Sequence, residues 1–334
     1  MEKCVEVFDP HLFLTLMIKY HLWAVGEKCL SFVPFGKNLY HFVGSIVNRR
    51  SRGTSDSFRT SFRLARKAKE LIPPGGTVLE VGTGWFHHDA FLLYLLGDYK
   101  IYLFDIQDKG KIYYIHNYLR KLLSSVELIA FELNITPERI QNRLRPLLEM
   151  TSQEEIYEKC NFKKCITTKT DEPFLPENSV DFMISCCVLN HIPIKILIPE
   201  LIALRKMLKA DGAMYHLIGH DDHWTFHDRS ANQFNYYRYS DAHYKWLYES
   251  LEFNNRIVKQ ECLQIFKQCG LHVEDYYAHI TEESRKQIQK LPRINSRFSK
   301  YPLEELAIIY SYVLLRKQSA ILSINSEDSL KAAI

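Results

Sequence analysis

The stretch TVLEVGTGWFHHD at Thr77–Asp89 places an acid, Glu80, just ahead of Gly82 and Gly84, with Thr83 between the two glycines. A second acid, Asp105, closes the run KIYLFD. Glycines so spaced let the backbone turn tightly and let a ligand lie against bare main chain. A dinucleotide-binding turn would read GxGxxG, but here His87 stands where its third glycine would be. No Gly-Lys-Ser/Thr follows, which also excludes the phosphate loop of nucleotide hydrolases.

What remains has a physical reading. An aspartate at the carboxyl end of a second strand can accept hydrogen bonds from both hydroxyls of a ribose. Glu80 then lies towards the ligand's other end, where it can help hold a cationic amine directly or through water. A ligand with ribose hydroxyls and an amino-acid part, but no phosphate, fits these residues. S-adenosylmethionine is such a ligand.

The elements that must position these residues follow from periodicity. Residues 61–71 read as a helix that PPGG at 73–76 breaks. TVLEV is a short buried strand, a helix follows through 91–96, KIYLFDI (100–106) is a second strand, and 111–130 returns to helix. That alternation is the grammar of a parallel sheet. Further strands are expected at 163–168, 179–189, 211–220, 271–280 and 307–317, with helices at 199–208 and 256–269. SVDFMISCCVL is nearly all apolar, as a strand covered on both faces should be.

The chain resembles the class I S-adenosylmethionine-dependent methyltransferases. The resemblance rests on VLEVGTG, YLFDI, LPENSVDFMISCCVLNHI and LRKMLKADGAMYHLI, in that order across roughly 65–220. It implies a Rossmann-like α/β fold: a seven-stranded, mostly parallel sheet with helices on both faces, here with an N-terminal helical extension. The GTGWF variant resembles a branch found among enzymes of surface-sugar or secondary-metabolite pathways. On this resemblance Glu80, Gly82, Thr83, Gly84, Asp105 and Ile106 bind the cofactor. Thr170 and Asp171 are the candidates for the adenine-facing position, and Cys186 falls where the fourth strand ends against the cofactor.

Methyl transfer from a sulfonium is an in-line displacement, and it needs a base only when the acceptor must lose a proton. The family places acceptor-side groups after strands four and five. His191 follows strand four, while His220 and His223 follow strand five, so these three are the candidate catalytic histidines. The segment after strand five is rich in aromatics. Its Trp224, Arg229, Tyr236, Tyr237, Arg238 and Tyr239 are candidate substrate contacts: the arginines for a carboxylate or phosphate, the aromatic rings for a sugar face. HDDH at 220–223 suggests a metal in principle, but successive residues on a strand point to opposite faces, and no metal is expected.

Composition narrows the alternatives. A net charge of +4 does not argue for nucleic acid, and the Asn/Asp-Pro-Pro-Tyr signature of amino methylation is absent after strand four. RNA or protein methylation is therefore the lesser enzyme reading, and a non-catalytic scaffold is the other alternative. Eight cysteines without a CxxC pair suit a reducing compartment. With no secretory leader and no 18-residue apolar run, a cytoplasmic location is expected. Nine Lys/Arg against two acids between Lys37 and Ile72 leave open a peripheral membrane contact, an ordinary solvated helix face, or a dimer interface. The expected organisation is a helical, partly basic extension over 1–60 and a methyltransferase domain over 61–317. The domain carries insertions at about 134–160 and 221–255, and 318–334 forms a flexible tail. The acceptor is expected to be a small molecule or glycan.

Overall fold

The computed structural model describes residues 56–223, 231–248 and 253–318, together with Cys29 and Phe32. Apart from Cys29, Phe32 and residues 56–60, the helical extension expected over 1–60 lies outside the described residues, as does the tail beyond 318. So do Trp224 and Arg229.

The described residues divide into two compact units. The larger is built on a seven-stranded sheet: β1 (Thr77–Val81), β2 (Lys100–Asp105), β3 (Phe162–Ile166), β4 (Val180–Cys186), β5 (Leu208–Gly219), β6 (Leu271–His279) and β7 (Tyr310–Lys317). Their order is β3-β2-β1-β4-β5-β7-β6. β3, β2, β1, β4 and β5 pair in parallel, and β7 runs antiparallel to β5. This is the α/β sheet expected from sequence. Because the strand order reverses between β1 and β4, a ligand crevice is expected at their carboxyl ends.

Helices α1 (Asp56–Leu71), α2 (His88–Leu96), α3 (Ile112–Ser124) and α4 (Val126–Leu133) bury apolar faces in the main core. In α1 the buried set Phe62, Leu64, Ala65 and Ala68 recurs at helical spacing. Three cations of α1 have partners elsewhere in the fold. Arg63 bonds Tyr215 and lies over the Tyr277 ring, Arg66 pairs with Glu132, and Lys69 donates to the Leu133 carbonyl.

Segment 134–160 reads as a polar insertion outside the core, and here the structure differs. Its helices α5 (Pro137–Glu149) and α6 (Gln153–Cys160) bury Ile140, Leu144, Leu147, Ile156 and Tyr157 in the main cluster. Three apolar residues at i, i+4 and i+7 suffice to seat a helix whose other faces are charged. Thr136 and Ser152 cap the two helices, accepting from the backbone N–H of Arg139 and Glu155. Further along the chain, α7 (Ile194–Met207) leads into β5, and α9 (Lys259–Gln268) leads into β6.

The smaller unit draws its described residues mainly from 220–258 and 279–309. It contains α8 (Asp241–Tyr248), α10 (Glu282–Gln289) and α11 (Leu303–Leu306). Its own core comprises Phe234, Tyr236, Tyr237, Tyr239, Tyr244, Val258, Ile288, Phe298 and Leu306.

Candidate functional site

The turn after β1 is built as its residue types demand. Gly82 and Gly84 both adopt positive φ, +73° and +63°. A Cβ on Gly82 would come within 2.4 Å of Val188 Cγ2, so the turn sits directly against the segment that follows β4. At Gly84, among the described residues, the only neighbour of an added Cβ within 4 Å would be the Gly82 carbonyl oxygen at 3.9 Å, leaving the backbone bare on that side. The N–H groups of Gly82 and Thr83 both donate to the Phe104 carbonyl, at 2.8 and 3.0 Å, which ties the turn to the end of β2.

Asp105 terminates β2 with both carboxylate oxygens engaged. Oδ2 accepts from the Gly84 N–H at 3.0 Å and Oδ1 from the Gln107 N–H at 3.0 Å. Each oxygen keeps a further lone pair, so the carboxylate is held in one orientation and can still accept a vicinal diol. Ile106, next in the chain, is 52 % exposed, an apolar side chain at the rim of this acid.

Glu80 is placed differently from expectation. Only 3 % exposed, it lies beneath the turn, accepting from the Thr83 hydroxyl at 2.7 Å and the Asp89 N–H at 3.3 Å. Asp89 is equally buried, and its Oδ1 has no hydrogen-bond partner among the described residues. Burial raises the pKa of both carboxyls, and the charge of Asp89 raises that of Glu80 further. Glu80 itself braces the turn from within.

The other candidates from sequence separate. His191 closes a 3₁₀ turn, Leu189–His191, directly after β4 and is exposed. Cys186 ends β4, and Cys187 takes a positive φ of 53°, which is why the strand stops there rather than continuing to 189. A hydrogen bond with Cys187, reinforced by burial, holds the Cys186 thiol well above its ordinary pKa, so it is no nucleophile. Thr170 is buried, and its hydroxyl bonds Glu200 of α7, while Asp171 is exposed. Thr170 is thus committed to the helix packed beside it.

The smaller unit corrects the reading of its residues. His220 is buried, its Nδ1 3.1 Å from the Ile257 carbonyl and its backbone N–H 2.8 Å from that of Ile309. Burial lowers its pKa to about 4, making it a neutral, structural imidazole rather than a poised base. His223 is also buried; burial raises the Asp221 carboxyl, and His223 opposes that rise. Tyr236, Tyr237 and Tyr239 are each at most 3 % exposed and form the core of their unit, not a surface offered to an acceptor. The density of rings that suggests a sugar-binding loop is here the means of filling a small core. Arg238 is half-buried and bonds Asn235.

Several residues escape sequence reasoning. Arg256 is the polar centre of the smaller unit, donating to the carbonyls of Tyr236 and Tyr239 at 3.0 and 2.8 Å and stacking on Tyr244. Val188 and Asp89 adjoin the glycine turn, and His87 joins it to Tyr157. No local pattern marks these four. Among the described residues no group of three or more His, Cys, Asp or Glu could hold a metal ion, and no helix is long and apolar enough to cross a membrane.

The chain matches no known family model and no curated protein. Solved structures similar to it include a TehB-like S-adenosylmethionine-dependent methyltransferase from Corynebacterium glutamicum. That match has 11% identity over 76% of this chain and 86% of the other, with a TM-score of 0.37. A second is geranyl diphosphate C-methyltransferase from Streptomyces coelicolor A3(2), at 7% identity over 78% of each chain and a TM-score of 0.44. A third is an S-adenosylmethionine-dependent methyltransferase from Methanosarcina mazei, at 12% identity over 74% of this chain and 95% of the other, with a TM-score of 0.41. Likeness at this level carries no argument about activity. The weight rests on the turn.

Proposed function

We propose that the chain transfers a methyl group from S-adenosylmethionine to an oxygen or nitrogen of a small-molecule or glycan-type acceptor. One observation carries this reading. Asp105, fixed by two backbone N–H groups, stands at the carboxyl end of β2 beside a bare glycine turn that has no phosphate loop. Asp105 would hold the ribose hydroxyls, the backbone at Gly84 would border the ligand, and Ile106 would pack on the adenosine. Glu80 would act from beneath, bracing the turn through the Thr83 hydroxyl and the Asp89 N–H.

When bound, the sulfonium supplies an electrophilic methyl group, and the protein's task is to hold an acceptor in line with it. For an acceptor that must lose a proton, His191 is the remaining candidate base in the larger unit, since it is exposed directly after β4. His220 donates its Nδ1–H to the Ile257 carbonyl and serves packing instead.

Calorimetric titration of the full chain with S-adenosylmethionine, wild type beside Asp105→Ala, tests the proposal. Saturable binding that the substitution abolishes supports it. Well-folded wild type that takes up no S-adenosylmethionine would refute it and leave a partner-binding scaffold as the better account.

A further inference from the structure

The residue standing where a dinucleotide turn would have its third glycine is held in an unusual way. His87 adopts a left-handed backbone, φ 52° and ψ 49°, and precedes α2 without capping it through its side chain. Left-handed geometry is disfavoured for a non-glycine residue, so something must hold it there. The ring is what is held. Nδ1 lies 2.6 Å from Thr83 Oγ1, and Nε2 lies 2.7 Å from the Tyr157 hydroxyl of α6. Tyr157 in turn accepts from Gln153 Nε2 at 3.1 Å.

With Glu80 as acceptor of the Thr83 hydroxyl, these contacts have one consistent direction. Burial lowers the His87 pKa to about 4, so at neutral pH one ring nitrogen donates and the other accepts. The Thr83 hydroxyl is donated to Glu80, so its oxygen accepts from His87 Nδ1–H. Nε2 then accepts from Tyr157 O–H, and the Tyr157 oxygen accepts from Gln153. The chain runs Gln153, Tyr157, His87, Thr83, Glu80, each donor spent on the next acceptor. Such chains polarise one another and stiffen together. The charged groups near the ring are Lys164 and Asp108, paired with each other at 3.1 Å.

The same chain meets the other side of the site. A Cβ on Gly110 would approach His87 Nε2 to 2.9 Å and Gln153 Nε2 to 3.0 Å, so the loop running on from Asp105 packs flush against it. Two loops that must agree in position, one presenting Gly82–Gly84 and one following the ribose acid, therefore rest on a single brace. That brace comes from the segment sequence reads as a polar insertion.

We infer that α6 is a positioning element for the cofactor site, with Tyr157 and His87 as positioning residues that set the glycine turn against Asp105. This inference rests on the proposed use of S-adenosylmethionine. It assigns a role in binding to side chains that need not touch the ligand.

The test is calorimetry with S-adenosylmethionine on the full-length wild type, Tyr157→Phe and His87→Asn, with thermal midpoints and the imidazole ¹⁵N shifts of His87. Tyr157→Phe keeps the ring and deletes one hydroxyl. His87→Asn keeps a residue that tolerates the left-handed region, and so carries the test if the first variant fails to fold. The expected result is a dissociation constant raised about tenfold in either variant, the scale of one lost hydrogen bond in a buried chain. The wild-type ring should be the Nδ1–H tautomer, with its Nε2 signal moving in Tyr157→Phe. A folded variant binding within twofold of wild type would overturn the inference even if its midpoint falls, because the brace would then serve stability alone. A wild-type Nε2–H tautomer would overturn the direction of the chain and with it the inference. Wild type that fails to bind at all would instead overturn the proposed function beneath it.

Discussion

The backbone N–H of Gly84 donates to Oδ2 of Asp105 at 3.0 Å, so the turn after β1 and the acid ending β2 are joined by a direct bond. The residue proposed to border the ligand with bare main chain also orients the carboxylate proposed to grip its ribose.

This joint predicts a graded response at Asp105. In Asp105→Asn the amide offers one acceptor oxygen where two N–H groups now converge, from Gly84 and Gln107. One of them loses its partner, at a cost of about 1–3 kcal/mol. Calorimetry should show S-adenosylmethionine binding weakened roughly ten- to a hundredfold. Binding equal to wild type would place the ribose elsewhere.

The two glycines should differ sharply. An alanine at Gly82 would meet the stiff, branched Val188 at 2.4 Å in addition to its positive φ, whereas at Gly84 the space is open. We expect Gly82→Ala to lose about 2–4 kcal/mol of stability and Gly84→Ala about 1 kcal/mol, read from urea denaturation midpoints. Equal losses would mean that the segment after β4 yields freely.

Glu200 makes stability depend on pH. Burial pushes its carboxyl up to about 7, against a Thr170 hydrogen bond that pulls it down. A carboxyl raised in the folded state favours folding below its unfolded pKa, and that contribution is lost as pH rises through the folded value. Between about pH 4.5 and 7 this group should therefore cost the fold about 2–3 kcal/mol, and Glu200→Gln should flatten the profile. Chemical denaturation at pH 5 and pH 8 measures it. An unchanged slope in the variant would assign the pH dependence to other groups.

Arg256 should be the most sensitive position of the smaller unit. Arg256→Ala would remove the Arg256 donor from the Tyr239 carbonyl, leave the Tyr236 carbonyl only the Tyr239 N–H, and uncover the Tyr244 face. The expected cost is about 2–4 kcal/mol, the scale of lost hydrogen bonds from a buried charged donor together with its lost packing. Amide hydrogen exchange across 231–248 and 253–258 would report it as lost protection. Protection equal to wild type would show that the tyrosine core stands by itself.

Sequence alone determined what local backbone chemistry dictates. The strands, the turn at Gly82–Gly84 and the acid ending β2 follow from residue types whose demands are met within a few positions of themselves, and the structure has them in place. His191 after β4 belongs with these. What only the tertiary structure decided is which face each side chain turns inward. The rings at Tyr236, Tyr237 and Tyr239 serve equally as a sugar platform or a core, and burial chose the core. Glu80 serves as a ligand contact or a brace, and the Thr83 hydroxyl and Asp89 N–H made it a brace. His87 meets Tyr157 across 70 positions of sequence. Such a partner is set by the packing of a whole helix, which no residue near His87 records.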